Sequence, residues 1–201
     1  GLGDSFTAMD GGAASLGYNP AGTSQLKRPQ LETTYTPGLV DDNFSFLGYA
    51  HPLAMATLTA GFIYYDGGTI DLNLSNGVRS RRKAQQDIIG MAGVSAPLGA
   101  GVFIGGTAKF MHLELAQEAR TTGTSADIGA LWHTPLAGFN LGASLLNMGP
   151  AIKFEEDGDP LPLTARFGAA YDYKAGDLGL AQDDSFGFSQ FLITADGVKT
   201  L

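Results

Sequence analysis

The feature of this sequence that most restricts its fold is an alternation of apolar with small or polar residues. Beyond about residue 30 the alternation recurs in blocks of about ten residues, separated by glycine, proline, asparagine and aspartate. In residues 102–110, for example, Ile104 and Phe110 share one face, whereas Thr107 and Lys109 point the other way. A period of two indicates β-strands with one apolar face, and about ten residues is the length of a strand that crosses a membrane.

The pattern predicts nine strands, and it suggests that the sequence is a piece of a longer barrel. The predicted strands are Gln30 to Gly38, Phe44 to Ala50, Ala56 to Tyr65, Asp87 to Ala96, Val102 to Glu114, Ser125 to Thr134, Phe139 to Met148, Leu163 to Tyr173 and Phe188 to Asp196. Bacterial single-chain barrels have even strand numbers and end on an amphipathic strand, whereas residues 197–201 have the composition of a turn. We therefore expect C-terminal strands to be missing.

Alternation alone fits both a soluble β-sandwich and a membrane barrel, because either architecture covers one face of every strand. The lengths of the connections separate the two. Short connections contain Pro52-Leu53, Pro97-Leu98 and Pro135-Leu136, and they alternate with longer polar connections that include Arg81, Glu118 and Glu156. This asymmetry favours an all-β fold, an up-and-down antiparallel transmembrane β-barrel, with the proline-leucine turns at one rim and the longer connections at the other.

Composition excludes several classes of function. The sequence has no cysteine, which removes thiol chemistry and zinc-thiolate sites, and its formal charge of −8 argues against a nucleic-acid partner. No run approaches the roughly 18 to 20 apolar residues of a membrane-spanning helix. The N-terminus shows no basic region followed by an apolar one, so we expect a signal peptide to have been removed.

Residues 1–29 are rich in small residues and glycine and do not alternate. They contain a helix-like stretch from Asp4 to Ala14 and then a turn at Asn19, Pro20, Ala21 and Gly22. Such a segment has too little apolar surface to fold alone, so we predict a plug of residues 1–29 inside a barrel of residues 30–201. A leader bound to the surface, or a capping helix, is the alternative.

Four charged residues fall on the strand faces opposite the apolar ones: Lys109, Asp127, Arg166 and Asp172. A buried charge needs a partner or water, so these residues are candidates for a network in the barrel lumen that holds the plug or lines a passage. Ordinary interior polarity without any substrate explains them equally well.

No catalytic or metal-binding constellation emerges from the sequence. His51, His112 and His133 are far apart and lack metal-ligand spacing, and no serine lies in a hydrolase elbow. The carboxylates at 155, 156, 157 and 159 fit a solvated loop more simply than a cation site. We expect no cofactor, no metal and no enzymatic activity.

Three parts of the sequence carry a resemblance to a known family: GLGDSFTAMDGGAASLGYNPAG at the start, the turns that contain PL, and LLNMGPAIKFEEDGDPLPLTARFGAAY. Together they closely resemble the PorV/PorQ group of FadL-like outer-membrane proteins. The resemblance implies a barrel of fourteen strands with an N-terminal plug in the bacterial outer membrane. It also implies that this sequence lacks roughly the C-terminal third of that barrel.

Three functions follow as alternatives. The resemblance to PorV implies a partner or cargo-binding subunit of a larger envelope or secretion assembly, as in type IX secretion. A FadL-like channel for small hydrophobic compounds is the second, and a structural envelope subunit is the third. The predicted inward positions carry glycine, threonine and charge rather than a continuous apolar lining, which favours the partner role. Membrane lipid and other envelope proteins are the expected partners.

Overall fold

The computed structural model describes residues 5–38, 41–73, 79–116, 119–153, 158–174 and 190–201, and in these ranges the protein is all-β. Thirteen strands are present: β1 (Gln30–Pro37), β2 (Asn43–Pro52), β3 (Thr57–Asp66), β4 (Thr69–Asn73), β5 (Arg79–Lys83), β6 (Gln85–Gly99), β7 (Val102–Leu115), β8 (Ala119–His133), β9 (Phe139–Met148), β10 (Ile152–Lys153), β11 (Gly158–Asp159), β12 (Thr164–Lys174) and β13 (Gln190–Thr200). Nine of them form one antiparallel sheet in the order β1-β2-β3-β6-β7-β8-β9-β12-β13. The pairs β4–β5 and β10–β11 are separate small hairpins.

The predicted alternation is confirmed in the two faces of the large sheet. The described part of the N-terminal segment, residues 5–29, covers one face, which we call the inner face; the opposite one is the outer face. Thr57, Thr59 and Thr107 are buried on the inner face, whereas Leu58 and Phe110 point outward and are about half exposed. The outward side chains of these strands are apolar and exposed, whereas the covered face combines polar groups with a small buried apolar cluster.

Several predicted boundaries were wrong. The structure begins β8 at Ala119 rather than Ser125, and it continues β13 through residues 197–200, where a turn was predicted. The long polar connection predicted after β3 contains the β4–β5 hairpin. In each case pairing with a neighbouring strand supplies hydrogen bonds that the local composition does not reveal, as Thr200 with Thr164 illustrates.

The three proline-leucine pairs lie at the same end of the sheet, which we call the PL end. They lie at or just beyond the ends of β2, β6 and β8, three strands that run in the same direction in the antiparallel order. Arg81 lies in β5 beyond the opposite end, the loop end, while Glu118 and Glu156 fall outside the described residues. β12 also ends and β13 begins at the PL end, and residues 175–189 between them lie outside the described residues.

Within the described residues β1 and β13 do not pair with each other, so the nine strands form an open sheet. Both edge strands nevertheless contact the same short segment: the Ala14 amide donates to Glu32 of β1, and the Thr7 amide donates to Asp196 of β13. More directly, Thr7 packs on Gly168 of β12 and Ala13 on Gly48 of β2. Six residues span at most about 22 Å when fully extended, whereas the six strand spacings from β2 to β12 amount to about 29 Å in a flat sheet. The sheet therefore curves around the segment.

The helix-like stretch predicted from Asp4 to Ala14 does not form in its described part. Residues 5–12 have turns and bends, and two 3₁₀ helices follow, Ala13–Gly17 and Pro20–Gln25. Gly11 and Gly12 disfavour a continuous helix, and groups of the sheet bind the segment's backbone instead. No helix among the described residues is long and apolar enough to cross a membrane.

Candidate functional site

The contact between the N-terminal segment and the inner face brings together most of the residues that the sequence singled out. Its apolar part is a buried cluster in which Ala13 and Leu16 of the first 3₁₀ helix pack on Phe46, Ala50 and Met91 of β2 and β6. This cluster covers only one side of the segment. The rest of the contact is made through glycines and polar groups.

Glycine allows the segment to lie directly on the backbone of the sheet. Three pairs of directly opposed glycines cross the inner face: Gly48 with Gly61, Gly105 with Gly129, and Gly142 with Gly168. A Cβ at Gly105 would lie 2.4 Å from the Pro20 carbonyl carbon and 2.6 Å from the Ala21 nitrogen, and one at Gly142 would lie 2.0 Å from the Thr7 carbonyl oxygen. Any other residue at these positions would displace the segment.

The predicted turn Asn19–Gly22 is the start of the second 3₁₀ helix, and its first residue makes the central polar contact. Asn19 is 1% exposed. Its Nδ2 donates to the carbonyl oxygens of Thr7 (2.7 Å) and Ala130 (2.9 Å), and its Oδ1 accepts from the Ala21 amide (3.1 Å). Asn19 therefore caps a helix and ties two parts of the segment to β8, a combination for which its amide has the required donors and acceptor.

Arg166 of β12 is the predicted charged residue that contacts the segment. Its Nε donates to Thr7 Oγ1 at 3.1 Å and its Nη2 to Asp196 Oδ2 at 3.3 Å, while the guanidinium carbon lies 5.2 Å from the centre of the Tyr18 ring. Thr7 closes the arrangement, because both its amide (3.0 Å) and its hydroxyl (2.6 Å) donate to the same Asp196 oxygen. The Tyr18 carbonyl accepts from the Ser144 hydroxyl at 2.6 Å.

Lys109 and Asp127 form a second buried pair, 2.7 Å apart, with side-chain exposures of 11% and 0%. The other Asp127 oxygen accepts from the Asn147 amide at 2.7 Å, and Lys109 also donates to Asn147 Oδ1 at 3.0 Å. The register of β8 against β9 shifts at this point, and Asn147 has a positive φ of 62°. The pair therefore stabilises a β-bulge. In it, the Asp127 carboxylate takes the place of a backbone carbonyl as the acceptor of a hydrogen bond between strands.

Asp172 lies on the inner side of β12, three inward positions beyond Arg166 toward the PL end, and is half-buried. Its amide donates to the Gly138 carbonyl in the turn before β9. The four predicted charges thus occupy three different places: the contact with the segment, a β-bulge and a turn.

Three further polar contacts distribute the attachment of the segment along the sheet. Thr23 shares a 2.7 Å hydrogen bond with Ser95 of β6, the Ala14 amide donates to Glu32, and Asp10 lies 2.9 Å from the His133 ring. Burial raises the pKa of the Asp10 carboxyl above its ordinary value, and the His133 ring offsets part of that rise. Asp10 is therefore a titratable contact between segment and sheet.

We expect the segment to dock more firmly as pH falls. Because the pKa of Asp10 is raised in the docked state, its contribution to docking is complete below the ordinary aspartate pKa of 3.8 and is lost as pH rises through the raised value. Hydrogen-exchange protection factors of the segment amides, corrected for intrinsic exchange, measure this dependence. Asp10→Asn is the matched control, and an equal pH dependence in both proteins would refute the role of Asp10.

The sequence did not identify Thr7, Asp196 or Asn147 as site residues. Asp196 could have been found from the alternation of Phe191, Ile193 and Ala195, which places it on the opposite, inner face. Thr7 and Asn147 carry no local signal, because Thr7 meets Asp196 and Arg166 only in the folded sheet and Asn147 acts through a register shift.

The site offers hydrogen-bond and ion-pair partners for a polypeptide segment. Among the described residues, no three histidine, aspartate or glutamate side chains lie close enough to hold a metal ion. Comparison of the sequence with protein-family models found no match, and comparison with curated proteins found none either.

Proposed function

We propose that this protein is an outer-membrane protein of the FadL-like barrel type, that residues 1–29 form its plug, and that it serves as a partner or cargo-binding subunit of a larger envelope or secretion assembly. The observation that carries the proposal is the distribution of polarity across the sheet. The covered face carries glycine, hydroxyl groups and ion pairs beside one small apolar cluster, whereas the uncovered face carries most of the exposed large apolar side chains.

The outer face is apolar along the whole width of the sheet. Its exposed side chains include Leu31 (71%), Leu47 (49%), Leu58 (49%), Val94 (49%), Phe110 (55%), Ile128 (53%) and Phe167 (67%). Monomeric soluble proteins rarely expose so continuous an apolar surface, because water disfavours it. Contact with lipid hydrocarbon would remove the free-energy cost of exposing these side chains to water, so the outer face fits a lipid environment.

Outward aromatic residues lie toward both ends of the outer face. Tyr35 and Phe110 are near the loop end, Tyr49 and Trp132 are near the PL end, and leucine, isoleucine, valine and alanine predominate between them, with Phe167 among them. From Val102 to Phe110 the strand covers about 27 Å at 3.3 Å per residue. A membrane barrel has an apolar band of about 25 Å between two aromatic girdles, which is the arrangement expected here.

The inner face favours the partner role over conduction. Thr7 and Asn19 are buried, and two glycine pairs leave no space between the segment and β7, β8, β9 and β12. A conducting route would require this segment to move and its buried polar contacts to break, at a cost of about 0.5–1.5 kcal/mol for each hydrogen bond. A fixed segment fits a subunit that acts through its ends and loops.

A second candidate, a FadL-like channel for small hydrophobic compounds, is favoured by one cavity of about 330 Å³ beside the segment. The cavity lies on the inner face, between the first 3₁₀ helix and strands β1, β2, β3 and β6. Phe44, Phe46, Ile63 and Met91 form most of its wall. Its size and apolar lining fit a small hydrophobic molecule.

The fluorescence of Trp132 tests the membrane assignment directly, because Trp132 is the single tryptophan of the chain and lies on the outer face. In vesicles made of brominated phosphatidylcholine we expect strong quenching relative to unbrominated vesicles, since bromine quenches only at close approach. The control is the double variant Trp132→Phe/Phe103→Trp, which moves the probe to the inner face of the neighbouring strand and should be quenched much less. Equal quenching of the two probes, or none of either, would argue against a lipid-facing outer face.

A further inference from the structure

The outer face carries a groove between β7 and β12. One cavity of about 600 Å³ is lined by Ile128, Leu145 and Phe167 and has the small residues Ala130 and Ala143 at its base. A second cavity of about 370 Å³ shares Ala130, Ala143 and Phe167. Since the two cavities share three residues, we treat them as one apolar groove.

The strand register explains the shape of the groove. Ala130 lies directly opposite Ala143, and Ala143 lies directly opposite Phe167, so two small side chains in one row end at a large one. In the neighbouring row toward the loop end, Ile128 and Leu145 form a wall. On the PL side the groove reaches Trp132, which lines the second cavity.

A positive charge stands at the loop-end border of the groove. Lys199 of β13 lies directly opposite Ala165, which lines the first cavity, and it is exposed. Because directly opposite residues share a face, Lys199 belongs to the outer face. A lysine stem can lie along apolar surface while its ammonium group reaches the headgroup region.

Resting on the proposed membrane location, we propose that the groove binds one anionic lipid, with an acyl chain on Ala130 and Ala143 and the headgroup at Lys199. The groove is apolar along its length and has a positive charge at one end. This arrangement is complementary to a single anionic lipid molecule, which has apolar chains and a charged headgroup at one end. The charge is positive, and a lysine near a membrane surface attracts anionic lipids in preference to zwitterionic ones. The base of small residues leaves room for the chain between larger side chains.

Quenching of Trp132 by lipids brominated in mid-chain measures occupancy of this groove. The full chain is reconstituted in unbrominated phosphatidylcholine containing a low mole fraction of brominated phosphatidylglycerol or, separately, brominated phosphatidylcholine. We expect the anionic lipid to be enriched at Trp132 by about fivefold, the preference that one basic residue gives. Lys199→Gln should reduce this preference to about one.

The groove itself is tested by Ala143→Phe, which fills its base and should abolish the enrichment, and by the matched control Ala60→Phe. Ala60 is an exposed alanine of the outer face on β3, outside the groove, so the control should keep the preference. Equal quenching by the two lipids in the unaltered protein would overturn the lipid site while leaving the membrane assignment intact. Absence of quenching even in fully brominated vesicles would overturn both, and it is the result expected if a second copy of the chain covers the outer face.

Discussion

Replacing Gly105 with alanine is expected to displace the N-terminal segment from the inner face, whereas replacing Gly106 with alanine is expected to leave it docked. The added Cβ at Gly105 would meet the backbone of Pro20 and Ala21 within 2.4–2.6 Å, and backbone atoms cannot rotate away as a side chain can. A Cβ at Gly106, on the outer face, would meet only the Asp127 carbonyl oxygen at 3.6 Å. The two glycines are neighbours on one strand, which makes the pair a matched comparison.

The size of the effect follows from the cost of overpacking a tight contact, about 1–3 kcal/mol. We expect the protection factors of the Gly11, Asn19 and Gly22 amides, which donate within the segment, to fall by about 5- to 150-fold in Gly105→Ala. The amides of β7 and β8 should remain protected, since sheet pairing does not depend on the segment. Undiminished protection in Gly105→Ala, or an equal loss in Gly106→Ala, would show that the glycine contact does not hold the segment.

The same pair of variants separates the two candidate functions. If the protein is a channel closed by its N-terminal segment, Gly105→Ala should increase uptake of a small hydrophobic compound and Gly106→Ala should not. If the protein acts as a partner subunit, neither variant should change uptake, and the loss should instead be one of assembly or cargo binding.

Replacing Lys109 with methionine is expected to lower the free energy of unfolding by about 3–5 kcal/mol, the cost of leaving a buried carboxylate without its cation. The Asp127 side chain is fully buried and keeps only the Asn147 amide as a donor once the Lys109 ammonium group is removed. Denaturant unfolding followed by Trp132 fluorescence measures the change. Lys153→Met removes an exposed lysine and should change stability by less than about 0.5 kcal/mol.

A second substitution tests whether the buried charge causes the loss. In Lys109→Met/Asp127→Asn the uncompensated carboxylate is gone, so much of the stability should return, although the Asn147 amide keeps a weaker acceptor. Hydrogen exchange at the segment should stay near that of the unaltered protein in both variants, because this ion pair holds the bulge between β8 and β9 and, within the described residues, shares no hydrogen bond with the segment. A double variant no more stable than Lys109→Met would point to packing of the lysine stem as the cause.

The alternation of the sequence was sufficient to predict the nine strands of the large sheet, although not the two short hairpins, and which side chains share a face, because the two faces of a strand are fixed by chain geometry. Thr107 and Phe110 lie on the opposite faces predicted for them. The predicted order of short connections was also sufficient to group the proline-leucine turns at one end. Strand ends were less well predicted, since residues 119–124 and 197–200 form strands only because neighbouring strands pair with them.

The tertiary structure alone determined how the N-terminal segment is held. Its residues have weak local preferences, and the predicted helix over residues 4–14 is absent from the described part because the sheet offers its backbone other partners. The Thr7 and Asp196 contact joins residues 189 positions apart, and no spacing in the sequence signals it. Likewise, the Asn147 amide donates to the Asp127 carboxylate where the register of β8 against β9 shifts, because the shift changes which backbone groups lack a partner on the neighbouring strand. Periodicity determines the faces of strands, because each face depends only on neighbouring bonds, whereas long-range hydrogen bonds and close backbone contacts depend on where the folded sheet brings distant residues together.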